Sequence, residues 1–107
     1  MAKHKSRLQK LYEHLDKKVP AKKYDQNIMP LSADGCGCAA AHALILFPSE
    51  IYWDENREVF FGITDKENNY IFGYSRHIFH HPKGKRAALC RIKSVLDDYK
   101  KRGVELP

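Results

Sequence analysis

Leu8, Leu11, Tyr12, Leu15 and Val19 recur at the spacing of one helix face, while Lys10, Lys17 and Lys18 fall off that stripe. Ser6-Arg7-Leu8-Gln9 reads as a capping box, Ser6 closing the first turn and Gln9 reaching back. Pro20 stops the run, so the pattern predicts an amphipathic helix over 6–18. From 36 to 47 the alternation vanishes. Cys36 to Phe47 is almost wholly apolar except for His42, and Pro48-Ser49-Glu50 ends it, which predicts a central, buried helix. Between them, 20–35 reads as a connector broken by Pro20, Asn27, Pro30, Asp34 and Gly35. Ile28, Met29 and Leu31 are expected to anchor it, and Ser32 or Asp34 to cap the next helix.

The segment 51–57 is acidic and aromatic and reads as a turn or short helix carrying Tyr52 and Trp53. Two patterns compete over 58–74. As strands, 59–63 and 70–74 make a hairpin. As helix, Thr64-Asp65-Lys66-Glu67 is a capping box and Gly73 a stop. Val59, Phe60 and Phe61 are consecutive, which spoils strand alternation, so helix is favoured. After a loop over 74–84, Ala88, Leu89, Ile92, Val95, Leu96 and Tyr99 share one face of a last helix over 85–102, with Gly103 as its stop. Cys90 falls on its polar side. Asp97 with Lys101 and Asp98 with Arg102 form i,i+4 pairs. The expectation is an all-α fold: one small domain spanning 1–107, four or five helices around the central apolar helix at about 36–47, with 1–5 a flexible basic tail.

A chain of 107 residues suits one domain with a modest core. No apolar run approaches the roughly 20 residues of a membrane span, and the first residues lack the apolar stretch of a secretory signal. Three cysteines, two of them one residue apart, make a poor disulfide framework, so a reducing cytoplasm is expected. Charge is distributed in blocks. Residues 1–23 carry eight Lys/Arg against two acids, 24–75 carry two against eight, and 76–102 carry nine against two. A chain basic at both ends and acidic between either neutralises itself on folding or offers basic faces to an anionic partner.

Asn27-Ile28-Met29, Cys38-Ala39-Ala40-Ala41-His42, and Phe61-Gly62-Ile63-Thr64 leading to Tyr70-Ile71-Phe72 together give the chain a likeness. Over about 24–100 it resembles a family of small uncharacterised bacterial and phage proteins. Those proteins pair a cysteine-rich helix start with a later Gly-Leu-Thr segment followed by Leu-Phe. The family helix usually opens with Cys-Gly-Thr and often carries glycine where this chain has Cys36-Gly37-Cys38 and Ala41. The resemblance implies helix over 64–72 and a phage or mobile-element origin. It brings no activity with it.

Four chemistries compete for the polar residues. A zinc site can be drawn from Cys36 or Cys38 with His42 and from His77, His80 and His81, but zinc signals come as Cys-x2-Cys pairs, which are absent. The bland alternative places His42 inside, bonded to a backbone carbonyl. A nucleophilic Cys36 or Cys38 with His77 or His80 has the cysteine-then-histidine order of papain-like hydrolases. Asn68 and Asn69, however, precede the histidine, and the chain is short for that fold. Packing accounts for both cysteines better. Lys83, Lys85 and Arg86 with the N-terminal Lys17, Lys18, Lys22 and Lys23 gather charge for a phosphate-bearing partner, without any base-reading motif. Tyr52, Trp53, Tyr70, Tyr74, Phe79 and Tyr99 can anchor a protein interface or fill the core. The expectation is a non-enzymatic binding protein without cofactor. It acts on a host protein or nucleoprotein as inhibitor or adaptor, with nucleic acid alone as the alternative.

Overall fold

Ser6 begins the first helix as its sequence position demands, its Oγ accepting the Gln9 N–H at 3.0 Å. In the computed structural model, residues 5–24, 37–47, 57–72 and 84–107 are described. The expected caps Ser32 and Asp34, the turn over 51–56, the stop at Gly73 and the loop over 74–83 lie outside them. The elements in chain order are α1 (Arg7–Lys18), a 3₁₀ turn (Ala21–Lys23), α2 (Ala39–Leu46), α3 (Arg57–Phe61), α4 (Asp65–Phe72) and α5 (Lys85–Lys101). Five α-helices and no strand among the described residues make this the expected small all-α fold. No helix among them is long and apolar enough to cross a membrane.

The central helix is shorter than its apolar pattern. Gly37 donates its N–H to the Lys23 carbonyl at 3.1 Å and pairs with Tyr24 in an isolated parallel bridge. That pairing holds the backbone extended, so α2 opens only at Ala39, with Cys38 as its N-cap. The segment 58–74 is helical, as favoured, but it breaks at Gly62. There the Gly62 N–H bonds the Val59 carbonyl at 3.2 Å and the Ile63 N–H bonds Glu58 at 2.8 Å, a Schellman closure that needs the positive φ of 72°. The Thr64 box then starts α4. Thr64 N–H donates to Glu67 Oε1 at 2.9 Å, and Glu67 N–H to Thr64 Oγ1 at 3.1 Å. Gly103 closes α5 by the same geometry, bonding Lys100 at 3.1 Å while Val104 bonds Tyr99 at 3.0 Å.

Leu8, Leu11 and Leu15 of α1 are fully buried against α2 and α5, each worth about 1.5–3 kcal/mol of apolar burial. Ala39, Ala40, Ala41 and Ala43 are buried too, and their small side chains let α1 approach the α2 backbone. Phe47, Phe60, Phe61 and Phe72 fill the side next to α3 and α4. Phe60 and Phe61 meet edge-on at 4.9 Å, and Phe61 stacks on Phe72 at 5.2 Å. Helices α1 and α5 run antiparallel. Lys85, the first residue of α5, reaches the Asp16 carbonyl near the end of α1, and a groove of about 460 Å³ separates the start of α1 from the end of α5.

Candidate functional site

The antiparallel pairing of α1 with α5 decides where the cations go. Lys17 and Lys18 end α1, Lys22 and Lys23 occupy the 3₁₀ turn that follows, and Lys85 and Arg86 open α5. The two basic blocks, far apart in sequence, therefore meet at one end of the molecule. Lys17, Lys18, Lys22 and Arg86 are exposed there, whereas Lys23 and Lys85 are half-buried. Lys85 Nζ donates to the Asp16 carbonyl at 2.9 Å, so it serves as a strut between the two helices as well as a surface charge. Lys17, Lys18 and Arg86 form no ion pair with any described residue. The N-cap of α5 is Gly84, which supplies no side-chain cap to the first-turn N–H groups. Lys83 lies outside the described residues.

Beneath this surface sits a polar joint in an otherwise apolar core. His42, 5% exposed, bonds through Nε2 to the Lys23 carbonyl at 2.8 Å. A carbonyl only accepts, so Nε2 carries the hydrogen and is closed to a metal. The imidazole lies nearly parallel to the Tyr24 ring, centroids 6.5 Å apart. The Tyr24 hydroxyl takes hydrogen bonds from the Ala39 N–H and from Arg91, standing in for the side-chain cap that Cys38 does not provide. Burial first, with the nearby Cys38, pushes the Tyr24 phenol up to about 12 against the opposing pull of Arg91. His14, half-buried on α1, is held below its ordinary range by burial, then by His42 and Lys18.

The competing sites gain less. The bland reading of His42, buried and bonded to a backbone carbonyl, is what the structure shows. Among the described residues no group of three His, Cys, Asp or Glu side chains is placed to hold a metal. Cys36, His77, His80 and His81 lie outside them. Cys38 is 1% exposed and packed in the core, where no substrate reaches its sulfur. Cys90 is exposed on the polar side of α5, as its helical position requires. Of the aromatic residues, Tyr70 packs on the core and Tyr99 is buried with its hydroxyl bonded to Glu67 Oε1 at 2.6 Å. Tyr52, Trp53, Tyr74 and Phe79 lie outside the described residues.

Two residues of this joint escape a reading of composition and motifs. Arg91 is 4% exposed although it is an arginine. Its signal is positional, three residues after Ala88 and four before Val95, squarely on the apolar stripe of α5. Tyr24 follows a basic turn and opens a connector, with nothing local to mark it as the cap of a helix fifteen residues on. Comparison of the chain with protein-family models, with curated proteins and with solved structures gives no match.

Proposed function

We propose that this chain is a non-enzymatic binding protein whose basic end engages the phosphate backbone of a nucleoprotein or nucleic acid. One observation carries the reading: two basic blocks 69 residues apart, joined through Lys85 and Asp16, form one surface whose Lys17, Lys18 and Arg86 pair with no described residue. All three are exposed, so their charge is carried on the surface where an anionic partner can reach it. A polyphosphate partner supplies repeated anions at a spacing that flexible lysines can follow, with no base-reading element required. The burial of Cys38 and the use of His42 as a backbone clamp support a role by binding and not by catalysis. An adaptor or inhibitor carried by a phage or mobile element, acting on a host nucleoprotein, fits this reading.

The test is the salt dependence of binding to a fluorescently labelled single-stranded oligonucleotide, followed by anisotropy. Three to five phosphate contacts predict a slope of about −2 to −3.5 in log K against log salt. Binding that ignores salt, or no binding at low salt, contradicts the reading.

A further inference from the structure

Lys18 sits one helical turn beyond His14 on α1, at the end of the molecule where the cations collect. His42, whose ring is fixed by the Lys23 carbonyl at 2.8 Å, is near enough to act electrostatically on His14. An uncharged imidazole is thus built into the margin of a cationic surface. Each element packed around it adds to the picture. On α1 itself are Lys10 one turn before it, Lys18 one turn after it, Lys17, Asp16 and Glu13, the last held by Lys5 at 3.0 Å. The 3₁₀ turn brings Lys22 and Lys23, followed by Tyr24 stacked on His42. Helix α2 brings His42 and Cys38, while α5 brings Lys85, bonded to the Asp16 carbonyl, and Arg91, bonded to Tyr24. Cations dominate this list, and Asp16 is its one acid not engaged by a lysine side chain at its carboxylate.

We infer that the basic end is a proton-linked site: a polyanion bound at Lys17, Lys18 and Arg86 draws a proton onto His14, so affinity rises as the solution becomes mildly acidic. The inference rests on the basic end being the binding face and concerns how that face is regulated.

The physical argument is reciprocity. Without a partner, burial and the neighbouring His42 and Lys18 disfavour charge on His14, which keeps it neutral at neutral pH. Phosphates laid against Lys18 cancel its repulsion and attract the imidazolium directly. Whatever makes His14 easier to protonate must, by linkage, be bound more tightly by the protonated protein. In the free protein His14 is held below 6.5, the ordinary histidine value, and in the complex it takes up its proton at higher pH than in the free protein. Tightening therefore falls between the two, as pH drops from about 7.5 toward about 6. No bond is made or broken beyond the N–H of one imidazole.

Affinity for the same labelled oligonucleotide is measured at fixed ionic strength at about pH 7.5 and about pH 6 for the unaltered protein and for His14→Gln, and linkage of one histidine predicts about threefold tightening in the former. The His14→Gln protein is expected to bind equally at the higher pH and to show less tightening at the lower. A second readout is direct: the His14 ring protons, followed by NMR through a pH series, are expected to titrate at higher pH with oligonucleotide than without. Equal pH dependence in both proteins, or a His14 titration unmoved by the oligonucleotide, overturns the proton linkage and leaves the binding face standing. No binding at either pH overturns both.

Discussion

The two ends of the α1–α5 pair carry the same kinds of residue and use them in opposite ways. At the far end, Lys5 pairs with Glu13 at 3.0 Å and Arg102 with Asp98 at 3.0 Å. Arg102 also lies 4.3 Å over the Tyr99 ring. Arg7 lies 4.3 Å over the Phe60 ring and donates to the Phe60 carbonyl at 3.0 Å, while its own N–H reaches the Pro107 carbonyl at 2.6 Å. Lys100 and Lys101 share that end with Asp97, Asp98 and Glu105, which offset their charge, although neither lysine forms an ion pair with a described residue and the expected Asp97–Lys101 pair is not made. At the basic end, Lys17, Lys18 and Arg86 stand without such partners among the described residues. Where cations are absorbed into capping, stacking and ion pairs they serve the fold. Where they are concentrated and left facing water, they are available to something else.

The largest expected effect breaks the far end. Gly62 has a φ of 72°, and a side chain there would run into the Pro107 ring. Gly62→Val is expected to cost about 3 kcal/mol or more, read from denaturant unfolding. His42→Leu attacks the joint under the basic end. It removes the clamp on the Lys23 carbonyl and is expected to cost about 1–3 kcal/mol, with faster hydrogen exchange at Gly37.

The helix boundaries governed by local chemistry were readable from the sequence. Ser6, Thr64 with Glu67, and Gly103 each act within a few residues of themselves, and each does in space what its position implies. Boundaries set by distant partners were not. The opening of α2 at Ala39 depends on a bridge to Tyr24, and the apolar run through Cys36 gives no hint of it. The basic face was half legible. Its residues could be named from charge blocks alone, but their meeting depends on the antiparallel docking of α1 with α5. Arg91 misleads for a related reason, since its charge argues for the surface while its register on α5 places it inside.

Smaller effects sharpen the contrast. Glu67 is pulled upward by burial. The Thr64 N–H, the Tyr99 hydroxyl, the Thr64 hydroxyl and Arg102 outweigh that and hold its carboxyl below the usual range. A depressed carboxyl stabilises the fold fully above its unfolded value, here about 4.5, and loses that contribution as pH falls from there through the lower folded value. Glu67→Ala is expected to cost about 1 kcal/mol at neutral pH and to flatten the loss of thermal stability in acid. Smallest of all, Lys17→Gln with Lys18→Gln is expected to leave stability within about 0.5 kcal/mol, because these exposed side chains form no ion pair with any described residue.

The most direct measurement titrates a labelled oligonucleotide against two double variants with equal charge change, Lys18→Glu with Arg86→Glu at the basic end and Lys100→Glu with Lys101→Glu at the far end. Loss of two adjacent phosphate contacts and their reversal predicts at least about thirtyfold weaker binding for the first pair and less than about threefold for the second. Equal losses at both ends, or none at the basic end, would contradict the assignment of that end as the binding face.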